Sequence, residues 1–310
     1  MTKDLPADHL SRLAIYDVGV WEGVGPVPRD RLLAEAPRMR GLLSMLTDRI
    51  DAEFIEAAPK LEVVSQMAVG VDNIDVPACR ERGIVVGHTP DVLTETVADT
   101  AFALLGSIAR RLPEGEREVR SGAWGPWEPF HLAGGDLYGT TLGIVGMGRI
   151  GQAVARRAVG FDMEVVYASP NDKPVDAEHL GLSELLARAD HVVVCTRLDD
   201  DTRGLISVAE LRMMKPTSYL VNVARGPVVD TDALVVGLRE GRIAGAALDV
   251  TDPEPLPPDH PLLELENCLV VPHIASASIR TRRAMSSLAV DNLLAGMQGE
   301  SMPARYDDGI

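Results

Sequence analysis

Short aliphatic runs alternate with segments of helical periodicity along most of the chain. In the first hundred residues the predicted strands are Leu13–Asp17, Leu42–Leu46, Leu61–Met67 and Ile84–Gly87. The predicted helices between them are Arg29–Ala36, Asp51–Ala58 and Pro77–Arg82, the last of which is capped by Gly83. Alternating strands and helices form parallel sheets whose faces are covered by the helices. The pattern therefore predicts the α/β fold class.

A second series of the same kind begins after a long predicted helix over Val97–Arg111, which stops before Pro113. An irregular loop over Ser121–Tyr138, which contains Trp124 and Trp127, separates this helix from the second series. The strands predicted there are Thr141–Val145, Met163–Tyr167, His191–Cys195, Tyr219–Val223, Gly245–Val250 and Cys268–Val271. The helices predicted there are Arg149–Val159, Ser183–Ala189, Thr231–Glu240 and a last one over about Ile279–Met297.

The length of 310 residues suffices for two domains, each able to bury a core. The last predicted helix follows the final strand of the second series, and we expect it to return to the first domain. The expected domains are residues 1–97 plus 286–310, a discontinuous unit, and residues 98–285.

Charge and cysteine content limit the kinds of partner and site that the sequence predicts. The formal net charge of −16 disfavours non-specific binding to nucleic acid or to an anionic membrane, although a local cluster of donors can still bind a small anion. The three cysteines lie far apart without CxxC spacing, so neither a disulfide framework nor a metal site is predicted. No apolar stretch approaches the ~18 residues of a membrane span, and the N-terminus lacks the apolar run of a signal peptide. We therefore expect a cytoplasmic protein.

A glycine-rich hexapeptide lies between the predicted strand Thr141–Val145 and a predicted helix. It consists of Gly146, Met147, Gly148, Arg149, Ile150 and Gly151 and matches G-x-G-x-x-G. Glycine permits a tight turn and close approach to a pyrophosphate, while the N–H groups of the helix N-terminus attract the anion. In this context the motif predicts a dinucleotide site, the alternative being a structural glycine-rich turn.

The segment after the next strand bears on the choice between NAD and NADP. An acidic residue about 20 positions after the glycines would bind the ribose hydroxyl of NAD. The chain instead has Ser169-Pro170-Asn171, followed by Asp172 and Lys173. Ser169 suits a hydroxyl or a phosphate and Lys173 suits a 2′-phosphate, whereas Asp172 keeps NAD open. A solvated turn without a role in cofactor choice is the further alternative.

Three polar segments follow strands of the second series, and they contain Arg225, Glu254 and His273. Ligands of open α/β sheets bind outside the carboxyl ends of the strands. Arg225 has a rigid fork suited to a carboxylate, His273 can exchange a proton near neutral pH, and Glu254 can orient that imidazole. Taken singly, each residue also has an ordinary structural interpretation, as a surface ion pair, a solvated acid or a capped strand end.

Six ordered motifs over nearly the whole chain resemble the D-isomer-specific 2-hydroxyacid dehydrogenase family, and within it glyoxylate/hydroxypyruvate reductases. The motifs are Met67–Asp75, Val92–Glu95, Gly139–Gly151, Asn222–Gly226, Gly245–Val250 and Pro272–Ser276. The resemblance implies two Rossmann-like or flavodoxin-like domains with parallel sheets and an active site in the interdomain cleft. It also implies a homodimer joined mainly through the cofactor domain.

The resemblance further implies roles for single residues. Arg225 would bind the substrate carboxylate, His273 would be the acid/base on the C2 oxygen, and Glu254 would hydrogen-bond His273. The remaining substrate contacts would come from Val69, Gly70 and Ser276, the first two through their backbone N–H groups. The NAD or NADP contacts would be the hexapeptide, Ser169, Pro170, Asn171, Val223, Ala224, Arg225, Asp249 and His273, with Asp249 directed toward the nicotinamide carboxamide.

The expected substrate is a small 2-oxo or 2-hydroxy acid such as glyoxylate or hydroxypyruvate. Phosphite dehydrogenase and phosphoglycerate dehydrogenase resemble the chain in the same family, and they stay as alternatives. NADP-preferring reductases often carry Ser-Arg-Thr-Arg where this chain has Ser169–Asp172, so the preferred cofactor stays open. A cofactor-sensing binding protein, similar to the corepressors that resemble this family, is the alternative from another functional class. Whether Trp124 or Trp127 reaches a partner subunit is also open.

Overall fold

The computed structural model describes residues 1–3 and 5–307 and contains two units of α/β architecture. The α-helices are α1 Ala7–Leu10, α2 Arg29–Glu35, α3 Ala52–Ala57, α4 Val76–Glu81, α5 Thr94–Ala109, α6 Leu112–Ser121, α7 Arg149–Ala158, α8 Leu182–Arg188, α9 Val208–Met213, α10 Thr231–Arg239 and α11 Ile279–Gln298. The strands are β1 Gly41–Ser44, β2 Val63–Gln66, β3 Val85–Gly87, β4 Thr141–Val145, β5 Glu164–Ala168, β6 Glu178–His179, β7 His191–Val194, β8 Tyr219–Asn222, β9 Gly245–Leu248 and β10 Cys268–Val270.

Unit 1 consists of Met1–Leu93 and Ala277–Ile310 and is built on a three-stranded parallel sheet in the order β1-β2-β3. Helix α11 covers one face of this sheet. Its side chains Ala289 and Val290 are fully buried in a core with Leu43 and Val63 of the strands. The chain therefore returns to the first unit after the second is complete.

Unit 2 spans Thr94–Ser276 and carries a seven-stranded sheet in the order β10-β9-β8-β7-β4-β5-β6. All of its pairings are parallel. The chain runs outward from β4 in one direction and then returns to add β7 on the other side of β4. A ligand-binding crevice forms where the strand order reverses in this way.

The predicted fold class is confirmed, with Rossmann-like parallel sheets in both units, while the boundaries differ from those expected. The contact division falls at 93/94 and 276/277, whereas 97/98 and 285/286 were expected. The second expected boundary lies inside α11, whose buried side chains Ala289, Val290 and Leu293 pack in the core of unit 1. Residues 308–310 of the expected first domain lie outside the described residues.

The predicted strand over Leu13–Asp17 is wrong. The segment forms a 3-10 helix over Ser11–Leu13 followed by turns, in which the Ala14 and Tyr16 N–H groups donate to Ser11 and Leu13 carbonyls. Leu13 is buried but Ile15 is 71% exposed, so two residues that would share one face of a strand lie in opposite environments. Local turn bonds thus satisfy the backbone without a neighbouring strand.

The predicted long helix is observed as α5, and a second helix, α6, follows it directly. Arg111 lies between them with a φ of 52°, and Pro113 occupies the first turn of α6, where its missing N–H costs nothing. Among the described residues, no helix is long and apolar enough to cross a membrane. The cytoplasmic location stays a prediction.

Candidate active site

The three predicted catalytic residues follow neighbouring strands of the unit 2 sheet. Arg225 comes after β8, Glu254 after β9 and His273 after β10, and these strands are adjacent and parallel. Their carboxyl ends therefore lie at one edge of the sheet, where ligands of such folds bind. The sheet register brings together three side chains that are separated by up to 48 positions in the sequence.

His273 and Glu254 form a close hydrogen-bonded pair. The distance from His273 Nδ1 to Glu254 Oε1 is 2.6 Å, and Glu254 Oε2 accepts a longer bond from the Thr251 N–H at 3.4 Å. Burial alone would raise the pKa of Glu254. The hydrogen bond and charge of His273, with the Thr251 N–H and the charge of Arg225, outweigh it and hold that pKa below its usual value. Glu254 is thus an ionised acceptor at neutral pH.

The backbone of His273 is held by the buried residue Asp249. The His273 N–H donates to the Asp249 carbonyl at 2.8 Å, and the Asp249 carboxylate accepts from the Ile274 and Ala275 N–H groups at 2.7 and 3.0 Å. His273 has a φ of 53°, a conformation that costs energy for a residue with a Cβ unless its surroundings enforce it. Asp249 therefore fixes the loop that presents the imidazole and leads to the buried Ser276.

Asn222, which the sequence analysis did not single out, fixes the Arg225 loop. Its Nδ2 donates to the Arg225 carbonyl at 2.9 Å and its Oδ1 accepts from the Ala224 N–H at 3.0 Å. Val223 and Ala224, two predicted cofactor contacts, are buried beneath this loop. The signal for Asn222 was its position as the last residue of β8, where an amide can bond to the turn that follows.

Gly226, which directly follows Arg225, allows the loop that carries Arg225 and the loop that carries Glu254 to approach each other. A Cβ on Gly226 would lie 1.9 Å from the Thr251 carbonyl oxygen, which no side chain could tolerate without a backbone shift. The Arg225 side chain also donates to the Ala224 carbonyl at 2.8 Å. Close backbone packing between these two loops thus sets the distance from Arg225 to Glu254.

The glycine hexapeptide forms the turn from β4 into α7, at the point where the strand order reverses. Gly146 has a φ of 99°, and a Cβ there would lie 2.6 Å from the Thr196 backbone nitrogen. Met147, one of the predicted cofactor contacts, is fully buried. Among the residues that the structure describes, an added Cβ at Gly148, the N-cap of α7, would meet no atom within 4 Å, and no side chain caps the helix. The open, uncapped N-terminus fits a pyrophosphate.

The predicted ribose segment follows β5 in an ordered turn. The Tyr167 hydroxyl donates to Asp172 Oδ1 at 2.5 Å, and the Lys173 N–H donates to the same carboxylate at 2.8 Å. The hydrogen bond from Tyr167, followed by that from Lys173, lowers the pKa of Asp172. The Ser169 carbonyl is bound by His179 Nε2 at 2.9 Å. The nearest carboxylate to Ser169, Pro170 and Asn171 in sequence is thus already engaged by protein groups.

In unit 1, the predicted substrate loop follows β2. The Ala68 carbonyl accepts from the Thr89 N–H at 2.8 Å, and the Val69 carbonyl is 2.9 Å from His88 Nδ1. Within residues 1–3 and 5–307, neither the Val69 nor the Gly70 N–H donates to another protein group. His88 was missed by the sequence analysis, since its contact is with a backbone carbonyl, which leaves no motif.

Comparison with known proteins identifies the family. Residues 102–275 match the family described as D-isomer specific 2-hydroxyacid dehydrogenase, NAD binding domain. The chain belongs to the D-isomer specific 2-hydroxyacid dehydrogenases. The resemblance inferred from the six motifs is confirmed, and most of unit 2 is the NAD-binding domain of an oxidoreductase. Membership of this family favours an enzyme over the alternative of a cofactor-sensing binding protein.

Relatives from distant organisms align over nearly the whole chain. A glyoxylate reductase of Korarchaeum cryptofilum is 47% identical over 98% of this chain and 93% of its own length. The human glyoxylate reductase/hydroxypyruvate reductase is 43% identical over 98% and 96%. Among solved structures, a protein from Thermus thermophilus superposes with a TM-score of 0.94 at 48% identity, covering 99% of this chain and 98% of its own. An NADPH-dependent glyoxylate/hydroxypyruvate reductase from Sinorhizobium meliloti, in complex with NADP and malonate, gives 0.86 at 34%, covering 98% and 95%.

Proposed function

We propose that this dehydrogenase reduces a small 2-oxo acid, such as glyoxylate or hydroxypyruvate, to the 2-hydroxy acid. The observation that carries the proposal is the 2.6 Å pair of His273 and Glu254 at the same sheet edge as Arg225. Relatives over nearly the full length are named glyoxylate reductases, which supports this substrate class.

The His273–Glu254 pair accounts for proton transfer. An ionised Glu254 can only accept a hydrogen bond, so His273 Nδ1 carries a proton and its Nε2 is the atom left to act as the acid. In the reducing direction His273 Nε2 donates its proton to the C2 oxygen of the substrate. Glu254 stabilises the positive charge on the imidazole before that transfer and keeps the ring orientation fixed.

Substrate binding falls to Arg225 and to backbone donors. The guanidinium of Arg225 binds a carboxylate through two parallel N–H donors, which fixes the plane of the 2-oxo acid. The resemblance assigns the same carboxylate to the Val69 and Gly70 N–H groups and places Ser276 at the substrate. A nicotinamide dinucleotide bound at Gly146–Gly151 would supply the hydride for C2.

The decisive experiment is a substrate screen with the purified protein. We expect turnover of glyoxylate or hydroxypyruvate with NADH or NADPH, and no oxidation of phosphite or 3-phosphoglycerate with NAD. Turnover of phosphite or 3-phosphoglycerate alone would replace this proposal with one of the alternatives from the same family. If alanine variants of Arg225, Glu254 and His273 all kept the parent's rate of 2-oxo acid reduction, the site assignment would be overturned.

For the cofactor, we propose that NADPH is accepted as well as NADH. Ser169, Pro170 and Asn171 follow β5 and include no carboxylate, so no acid at these three positions repels a 2′-phosphate on the ribose. Lys173 adds a positive charge to this turn. We expect kcat/KM values for the two reduced cofactors to lie within about 30-fold of each other, or about 2 kcal/mol. Measurable activity with only one of them would contradict this.

We also propose a homodimer formed through unit 2. Trp124, Trp127 and Phe130 are 74, 84 and 86% exposed, and apolar side chains of this size seldom face water together in one short loop. Leu112 and Val119 of α6 are also exposed beside this loop. Light scattering of the purified protein is expected to give about 67 kDa, twice the chain mass of 33.3 kDa, and a mass near 33.3 kDa would contradict the proposal.

A further inference from the structure

A histidine that has no part in the proposed chemistry lies at the end of the unit 1 sheet and contacts the predicted substrate loop, Ala68–Gly70. His88 lies directly after β3, and its Nδ1 is 2.9 Å from the carbonyl oxygen of Val69. A carbonyl oxygen can only accept, so His88 Nδ1 carries the proton and donates to it. The Nδ1–H form of His88 is therefore fixed by this contact.

The bond to Val69 determines the direction of the Gly70 N–H. The Val69 carbonyl and the Gly70 N–H belong to one planar, trans peptide unit, and they point in opposite directions. Holding the carbonyl toward His88 therefore holds the N–H away from His88. Accepting a hydrogen bond also polarises the amide and makes its N–H a stronger donor.

The backbone of His88, and through Tyr306 also its imidazole, is held by the C-terminal part of the chain. The His88 N–H donates to the Ala304 carbonyl at 3.0 Å, and its carbonyl accepts from Asn292 Nδ2 at 2.8 Å. Asn292 is fully buried and also accepts from the Ala304 N–H at 2.9 Å. The Tyr306 ring meets the His88 ring edge-on, with centroids 5.2 Å apart. Helix α11 and the segment after it thus fix the position of the donor.

We propose that His88 is a positioning residue for substrate binding, which orients the Gly70 N–H toward the substrate carboxylate. This inference rests on the proposed function, in which Gly70 donates to that carboxylate. His88 touches neither substrate nor cofactor in this role, so its loss weakens binding of the 2-oxo acid and leaves the chemical step largely intact.

The test compares His88→Ala with His88→Asn. An asparagine carries its amide nitrogen the same number of bonds from the backbone as His Nδ1, so it can donate to the Val69 carbonyl. For the alanine variant we expect KM for the 2-oxo acid to rise about 10-fold, the effect of one hydrogen bond, with kcat and KM for NADPH within about twofold of the parent. The asparagine variant is expected to return KM to within about threefold of the parent value.

His9→Ala is the matched control for a loss of stability in the same unit. His9 is buried and its Nδ1 lies 2.7 Å from Ser286 Oγ, so its removal also deletes one histidine hydrogen bond but leaves the Val69 carbonyl untouched. We expect His9→Ala to lower the melting temperature without raising KM. Calorimetric titration of each variant with oxalate measures affinity independently of turnover. We expect it to give the same ranking of the variants.

The outcomes separate the two proposals. Failure of the parent to reduce any 2-oxo acid would contradict the proposed function. A parent that reduces glyoxylate or hydroxypyruvate, with an unchanged KM in His88→Ala, would overturn only the role of His88. Equal KM values in the alanine and asparagine variants, or an equal rise in His9→Ala, would show that packing rather than the hydrogen bond is responsible and would also overturn it.

Discussion

At the carboxyl edge of the seven-stranded sheet, three strands lead to side chains with charge or a titratable proton, Arg225, Glu254 and His273. The three-stranded sheet instead leads to a loop, Ala68–Gly70, whose proposed contacts with the substrate are backbone N–H donors. In unit 2 the hydrogen bonds act on the catalytic side chains or their loops, as Asp249 does for His273 and Asn222 for Arg225. In unit 1 the comparable hydrogen bond, from His88 to the Val69 carbonyl, acts on the peptide group between Val69 and Gly70. We infer that unit 2 supplies the chemical step together with part of the substrate binding, whereas unit 1 contributes to substrate affinity alone.

The largest effect on activity is expected at His273, which therefore gives the strongest test of the assignment of the chemical step to unit 2. His273→Ala removes the proposed proton donor, and general acid catalysis contributes about 10²–10⁴-fold, so kcat for the 2-oxo acid should fall by about 10³-fold. His260, which caps a 3-10 helix in the same unit, provides the control, and His260→Ala should keep kcat within about twofold. A turnover number in His273→Ala equal to that of the parent would show that another group supplies the proton.

Arg225→Lys tests whether a charge alone suffices in unit 2. The lysine keeps the positive charge but loses the planar fork, and charge-assisted hydrogen bonds contribute about 1.5–3 kcal/mol, so kcat/KM should fall roughly 10- to 100-fold. The loss should appear mainly in KM and be equal with NADH and NADPH. Arg239→Lys, at a half-exposed side chain at the end of α10, is the control. Equal kcat/KM in the parent and Arg225→Lys would rule out a paired carboxylate contact.

The differing predictability of the two edges has a physical basis. Arg225, Glu254 and His273 are recognisable because their chemistry resides in the side chain, and the βα pattern places each after a strand. His88 acts on a backbone carbonyl, so neither its residue type nor its spacing marks it before the fold is known. Asn222 acts on the backbone of the Arg225 loop, and its one signal is its place at the end of β8. The wrong strand at Leu13–Asp17 has the same origin, since an aliphatic run does not record whether a neighbouring strand exists to pair with it.

Glu254→Gln should have a smaller effect with a distinct pH dependence. The glutamine oxygen can still accept from His273 Nδ1, but the charge that stabilises the protonated imidazole is lost, so kcat should fall about 10-fold at pH 7. The pKa of Glu254 is lower in the folded than in the unfolded protein. Ionised Glu254 therefore stabilises the fold at any pH above its pKa in the unfolded protein. This stabilisation is lost as the pH falls through its pKa in the folded protein.

Thermal melts of parent and Glu254→Gln from pH 7 to pH 3 measure this linkage. We expect the parent to melt higher at pH 7 and the difference to shrink below the ordinary glutamate value of 4.5. Asp259→Asn, at an exposed acid of the same loop region, is the matched control for the loss of one carboxylate. A difference between parent and Glu254→Gln that stays constant down to pH 3 would contradict a lowered pKa.

The smallest effect on activity is expected at Thr89, which sharpens the distinction between backbone and side-chain donors in unit 1. Its Oγ1 is buried and has no hydrogen-bond partner among the described residues, whereas its N–H holds the Ala68 carbonyl. Thr89→Val keeps the N–H and removes an unsatisfied hydroxyl, so KM should stay within about twofold. Because a buried unsatisfied group costs about 1–3 kcal/mol, the melting temperature should rise by about 2 °C or more.

Thr2→Val makes the same substitution at a buried threonine whose hydroxyl donates to Asp48, and it should lower the melting temperature instead. The opposite signs follow from hydrogen-bond satisfaction alone, since the two changes are otherwise alike in size and polarity. If Thr89→Val raised KM to the extent expected of His88→Ala, the Thr89 hydroxyl would belong to the substrate site. Unit 1 would then bind its ligand through a side chain as well, and its contrast with unit 2 would be one of degree.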